Sequence, residues 1–217
     1  TVAAFGLSEE LELPVFLRSV SRISHASGDV TLGELARRER QLGFNRHWKL
    51  PYRWNVYGPP GAVSKHRWLH EQLEKAREYA ERCPFNRLAL SPGAELGIIT
   101  SGVAASYVRE ALAYLGVKAN LLVLGLVHPL AERMVEELLR ASTRVLVVEE
   151  GDPAVEIQVR CLAQEVAPGV PVYGKYRRRA VLPPCGELNP VLVREAVSRV
   201  ADVPLPAPAG DGRAAAK

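Results

Sequence analysis

Three short apolar runs in this 217-residue chain each end in residues able to do chemistry. Ser101-Gly102 follows Leu96-Gly97-Ile98-Ile99-Thr100, and Gly125 to His128 follows Leu121-Leu122-Val123-Leu124. Glu149-Glu150-Gly151-Asp152 follows Val145-Leu146-Val147-Val148. A serine, a histidine and carboxylates are the parts of a hydrolytic triad. The G-x-S-x-G elbow that presents such a serine is absent, because Ile99 and Thr100 precede Ser101, and this argues against acyl transfer. Ser101-Gly102 ahead of a helix could receive an anion on free backbone N–H groups. Tight strand-to-helix packing explains the same glycine, and no G-x-G-x-x-G fingerprint accompanies it. His128 before Pro129 has no second histidine at ligand spacing, so it reads as a loop residue bonded to backbone rather than a metal ligand.

Two further groups complete the inventory. Lys175, Arg177, Arg178 and Arg179 share a loop that could meet phosphate or an acidic partner, although a solvated face is the more ordinary use of such a run. Cysteines stand at 83, 161 and 185, too few and too scattered for a disulfide scaffold or a CxxC metal site. A reducing, cytoplasmic setting is expected, with no metal site in this chain.

The elements that must position these residues follow from periodicity. Strands are predicted at about 96–100, 121–124, 145–148 and 170–173. Between them lie helical patterns: Ala104, Val108, Ala111, Leu112 and Leu115 ending at Gly116; a helix after Pro129 to about Arg140; and Val155, Val159, Leu162, Ala163 and Val166 on one face. Asp152-Pro153 reads as N-cap and first helical residue, and Asn189-Pro190 repeats that start for a last helix facing inward through Val193, Ala196, Val197 and Val200. Strands alternating with such helices imply crossovers and an α/β fold with a mainly parallel sheet flanked by helices. Ligands of such sheets bind beyond the carboxyl ends of the strands, where Ser101, Gly102, His128, Glu149 and Asp152 would stand.

Upstream, Leu13-Pro14-Val15-Phe16-Leu17-Arg18 reads as a strand followed by a polar loop through Gly28. Residues 34–63 read as an irregular arm broken by Pro51, Gly58, Pro59, Pro60 and Gly61. A helix is expected from about Lys65 to Arg82, ended by Cys83-Pro84. Four segments result: 1–33, the end of an α/β domain; 34–90, an arm and helix; 91–200, an α/β domain; and 201–217, a Pro/Ala linker tail. The chain opens at Thr1 and its single methionine is Met134, so a piece of a longer protein is expected.

Charge is uneven. Of a formal +4 overall, residues 37–87 carry twelve Lys/Arg against five Asp/Glu, together with all three tryptophans (Trp48, Trp54, Trp68). Basic residues interleaved with aromatics could bind nucleic acid. No recognition motif accompanies them, and an arm wrapping a neighbouring domain with its tryptophans docked accounts for the composition, so no nucleic-acid partner is expected. No apolar run approaches the roughly 20 residues that cross a bilayer, so no membrane partner is expected either.

Taken in order, Glu95-Leu96-Gly97-Ile98-Ile99-Thr100-Ser101-Gly102-Val103-Ala104, Leu124-Gly125-Leu126-Val127-His128-Pro129-Leu130 and Val145-Leu146-Val147-Val148-Glu149-Glu150-Gly151-Asp152-Pro153 resemble the alpha subunit of indolepyruvate:ferredoxin oxidoreductases. The stretch Leu13 to His25 is similar to the close of that family's pyrimidine-binding thiamine domain. With Gly186-Glu187-Leu188, the resemblance covers most of residues 5–200. It implies a thiamine-diphosphate enzyme that oxidatively decarboxylates aryl 2-oxoacids to acyl-CoA and passes electrons through 4Fe-4S clusters to ferredoxin. It also implies a transketolase-C-like domain at 91–200, and a smaller beta subunit and the remaining domains of the same chain as partners. The cofactors (thiamine diphosphate, Mg, 4Fe-4S, CoA) are implied for the full-length enzyme, and none is expected to be held within these residues.

Arg22 and His25 are the candidates for the substrate side by that resemblance, with loop-ordering hydrogen bonds as their other use. Ser101, Gly102, His128, Glu149 and Asp152 form an expected domain-interface edge. Gly210-Asp211-Gly212 matches the start of a thiamine–magnesium motif, but no strand precedes it and chance explains it. Two other classes compete with the enzyme reading: a non-catalytic interaction domain of a larger complex, and a small nucleotide- or CoA-binding domain, the latter resting on fold analogy alone.

Overall fold

The structure, a computed structural model, describes residues 1–33, 56 and 58–206. It divides into two compact units, Thr1–Ala76 and Arg77–Lys217. The first holds helix α1 (Val2–Leu11), the short α2 (Ser21–Ser24) and most of α3 (Pro59–Arg82), which runs into the second. The second unit continues with β1 (Arg87–Ala89), β2 (Leu96–Ser101), α4 (Ala104–Leu115), β3 (Ala119–Leu124), α5 (Glu132–Arg140) and β4 (Arg144–Val148). It closes with α6 (Ala154–Val166), β5 (Val172–Tyr173), a 3₁₀ turn at Arg177–Arg179 and α7 (Pro190–Ala201).

The strands form one sheet in the order β1-β3-β2-β4-β5. All neighbours are parallel except β1, which runs antiparallel to β3 with Leu88 opposite Leu122. Strand β2 lies at the centre, with Ile98 opposite both Leu121 and Leu146. The α/β class with a mainly parallel sheet is therefore as the alternation required.

Both faces of the sheet are covered, which is why its central strands read as unbroken apolar runs. Alternate residues serve opposite cores. Ile98, Leu146 and Val148 join Val108 of α4 and Val193 and Val197 of α7 on one side. Ile99, Val145 and Val147 join Val135 and Leu138 of α5 and Val159 of α6 on the other. Gly97 is bare because α5 comes close: a Cβ there would meet Leu138 Cδ2 at 2.6 Å and Ser142 Oγ at 2.7 Å.

The helix ends are settled case by case. Asn189 caps α7, its Oδ1 accepting from Leu192 N at 3.0 Å with Pro190 in the first turn, and Gly116 ends α4 in the left-handed conformation at φ 64°. Helix α5 has Ala131 at its N-cap and no side-chain cap of its own. Glu81 of α3 supplies the acceptor, taking Arg133 N at 2.8 Å, and Arg77 lies 3.5 Å from Glu132.

Two expectations are corrected, and two elements are added. Leu13 to Arg18 is not a strand: it is irregular, with Phe16 and Leu17 exposed, because Pro14 lacks an N–H and no described strand runs beside it. Helix α3 begins at Pro59 rather than near Lys65. First-turn N–H groups have no intrahelical partner, so prolines there cost the helix nothing. Helix α1 and strand β1 are additional elements. The irregular arm is described only at residues 56 and 58–63, most of which are helical, and Trp48 and Trp54 lie outside the described residues.

Candidate functional site

The carboxyl edge of the sheet is assembled by three loops. Ser101 ends β2 opposite Leu124 of β3, and Gly102 turns the chain into α4 with φ 59°. Gly125 to His128 leave β3, and Asn86 fixes their course. Its Oδ1 accepts from Gly125 N and Leu126 N, both at 2.9 Å, while its amide donates to Ala80 O at 2.9 Å. Gly125 cannot carry a side chain, since a Cβ would lie 2.9 Å from the Phe85 carbonyl oxygen. Gly102, His128 and Asp152 are exposed, Ser101 is half-buried, and Val127 and Phe85 expose apolar surface beside them.

Glu149 stands apart from this rim because it is 4% exposed. Its two oxygens accept from Val155 N at 2.9 Å and Glu156 N at 2.8 Å. It is the cap of α6, where a carboxylate faces free N–H groups and the positive end of the helix. Asp152 was expected in that role. Helix α6 instead starts at Ala154 with Pro153 at the N-cap and no side-chain cap from that residue, and Asp152 remains exposed.

Beneath Glu149 lies a second carboxylate that periodicity did not single out. Glu156 is 1% exposed and gathers Lys175 N (2.6 Å), Tyr176 N (3.1 Å) and Arg160 Nε (2.8 Å). A Cβ on Gly174 would collide with its carboxylate, so the glycine makes room for it. Lys175 is also buried, with Nζ donating to Gly151 O at 2.8 Å. The solvated face expected for this loop therefore holds for Arg177 to Arg179 and fails for Lys175. Glu150 accepts from Leu188 N at 3.2 Å through both oxygens. Three acidic side chains and one lysine thus bind the turns after β4 and β5 and the approach to α7 into one body.

Burial pushes the Glu149 carboxyl above its ordinary value of 4.5; its two backbone donors and Lys175 pull it down, and the charge of Glu156 adds to the rise. A carboxyl raised in the folded state binds its proton more tightly folded than unfolded. Its contribution to stability is complete below 4.5 and declines as the pH climbs through the window above that value. Glu149→Gln does not ionise. The stability of the wild-type chain minus that of the variant is therefore expected to shrink as the pH rises above 4.5 in parallel denaturant titrations. A difference that grows with pH would contradict the assignment.

Among the described residues, no hydrogen bond joins Ser101, His128 and Glu149, and Glu149 is committed to a helix end. A nucleophile–base–acid relay is not what this edge presents. Arg22 and His25, expected on a loop after a strand, lie on and just after α2: the His25 backbone N–H bonds Ser21 O at 2.9 Å, and both side chains are exposed. They fall in the first unit, the sheet edge in the second. No group of three His, Cys, Asp or Glu suited to a metal occurs among the described residues, and Gly210-Asp211-Gly212 lies outside them. No described helix is long and apolar enough to cross a membrane.

No family model matches the chain. Curated relatives do. The indolepyruvate oxidoreductase subunit IorA of Pyrococcus abyssi is 40% identical over 175 residues, 79% of this chain and 27% of that protein. The IorA subunit of Methanothermobacter thermautotrophicus is 38% identical over 202 residues, 93% of this chain and 32% of that protein. A solved split gene transketolase, an inactive β4 tetramer, aligns with 54% of this chain and 41% of its own, at 20% identity and a TM-score of 0.42. The chain spans about three-tenths of the length of the curated relatives it matches. Over that span it is similar to IorA, the indolepyruvate oxidoreductase subunit.

Proposed function

We propose that this chain is the part of an indolepyruvate oxidoreductase that holds other parts of the enzyme in register. The whole enzyme, on this reading, oxidatively decarboxylates aryl 2-oxoacids such as indolepyruvate to acyl-CoA in the cytoplasm. Thiamine diphosphate with magnesium supplies the carbanion chemistry, and 4Fe-4S clusters carry electrons to ferredoxin. Residues 1–33 belong to the close of a pyrimidine-binding domain, residues 91–200 form the transketolase-C-like domain, and a smaller beta subunit completes the assembly. The observation that carries this reading is the 38–40% identity to IorA subunits across 79–93% of the chain.

The form of the sheet edge supports a scaffolding role within that enzyme. Its carboxylates Glu149, Glu150 and Glu156 are spent on backbone N–H groups. Its rim leaves Ser101, His128, Val127 and Phe85 as mixed polar and apolar surface of the kind that domain interfaces use.

Thiamine catalysis needs the diphosphate fixed through magnesium, an activating carboxylate, and a redox centre through which electrons leave. The 217-residue chain alone is expected to show no decarboxylation of indolepyruvate with thiamine diphosphate, magnesium, CoA and a dye acceptor. The enzyme assembled at the full length of its relatives turns over under the same conditions. Measurable turnover by the short chain would overturn the scaffolding assignment.

A further inference from the structure

A pair of histidines on α3 belongs to none of the roles above. His66 and His70 are four residues apart, so they project from one face of a 24-residue helix. Both are exposed. Their Nε2 atoms lie 3.1 Å apart, and the rings meet edge to face with centroids 4.5 Å apart.

Two facing imidazole nitrogens can share a proton, one donating and the other accepting, or they can share a cation. The 3.1 Å spacing is that of a hydrogen bond, and it suits the second use as well. A divalent ion at the usual 2.0–2.1 Å from each Nε2 would see the two nitrogens, 3.1 Å apart, at an angle of about 95–102°. That angle lies between the cis angle of a square-planar site and the tetrahedral angle, the geometries of copper(II) or nickel(II) and of zinc. Imidazole is a ligand common to all three. The helix has already fixed the two Cβ positions, so little ordering remains to be done on binding. Among the described residues no third His, Cys, Asp or Glu completes a group of three, and the remaining coordination positions fall to water or an exchangeable ligand.

We propose that His66 and His70 form a two-histidine chelate for a divalent transition-metal ion, zinc(II) being the probe of choice, on the exposed face of α3. The site is open, with both side chains exposed. It is independent of the oxidoreductase reading, because neither histidine takes part in the sheet edge.

Zinc chloride titrated calorimetrically into the metal-stripped full chain, in a non-chelating buffer, tests it. The expected result is saturable uptake and a rise in melting temperature with zinc, as mass action requires of a ligand bound by the folded state. In His66→Ala and in His70→Gln that uptake is expected to weaken roughly tenfold or more, since one of two protein ligands is lost. His70→Cys keeps a zinc donor at the same place and is expected to retain it. Both side chains are exposed, so unchanged circular dichroism identifies variants that fold normally. Zinc binding equal in wild type and in the doubly substituted His66→Ala/His70→Ala chain, or no binding by the wild type, would overturn the site.

Discussion

Replacing Glu156 by alanine is expected to lower the stability of the Arg77–Lys217 unit by about 3 kcal/mol. The side chain is 1% exposed and accepts from two backbone groups, Lys175 N and Tyr176 N, which lose their acceptor in a place closed to water. A buried donor left unmade costs about 1–3 kcal/mol. The Arg160 guanidinium adds less, because its side chain is 26% exposed, it reaches solvent, and its Nη2 also donates to Tyr176 O at 3.3 Å. The effect should be local as well as global. Amide exchange at Lys175 and Tyr176 is expected to accelerate more than at the β2 amides, and the denaturant midpoint to fall at unchanged slope. A loss below about 1 kcal/mol would mean that the segment after β5 holds itself without the carboxylate.

The opposite edge of the sheet carries the second large effect. Asn120, 2% exposed, ties four points at the amino end of β3. Its Oδ1 accepts from Ser91 N at 2.9 Å, and its amide donates to Ala141 O at 2.8 Å, Ser142 Oγ at 3.1 Å and Ala94 O at 3.3 Å. Asn120→Leu keeps the branched shape and the number of side-chain heavy atoms and removes every one of these bonds. A destabilisation of about 3 kcal/mol is expected, from one buried N–H and at least one carbonyl left without a partner. Chemical denaturation reads it directly, and a change within about 0.5 kcal/mol would show that water replaces the asparagine.

What the sequence disclosed about this molecule is what short-range periodicity can carry. The runs 96–100, 145–148 and 121–124 are strands because both faces of the sheet are covered and every residue in them but Thr100 is apolar. The Asn189-Pro190 start was legible because cap and helix are adjacent in the chain. Strand β1 was hidden because Arg87-Leu88-Ala89 is too short to show a period and exists through its pairing with β3. Leu13 to Arg18 misled for the complementary reason: an apolar run looks like a strand, but a ladder requires a neighbour.

The site divides along the same line. Ser101, Gly102, His128 and Glu149 lie at the carboxyl edge where alternation of strands and helices placed them. That Glu149 caps α6 in place of Asp152 depends on how the loop between them folds back. Glu156, Gly151 and Lys175 come from three separate elements and meet only in the fold. The Glu156–Arg160 spacing was the one local trace of that cluster, and it resembles any solvated helix pair. Nothing near Lys175, followed by three arginines, signalled burial.

On the proposed function, the rim of the sheet organises the oxidoreductase rather than breaking bonds. Steady-state kinetics of the full-length enzyme carrying Ser101→Ala and His128→Ala, with subunit assembly followed by sedimentation, tests it most directly. The expected result is that kcat per assembled enzyme stays within about threefold of wild type, while KM or the fraction assembled changes. A fall in kcat of roughly a hundredfold or more, with assembly intact and KM unchanged, would place these residues in the bond-breaking step and overturn the scaffolding role.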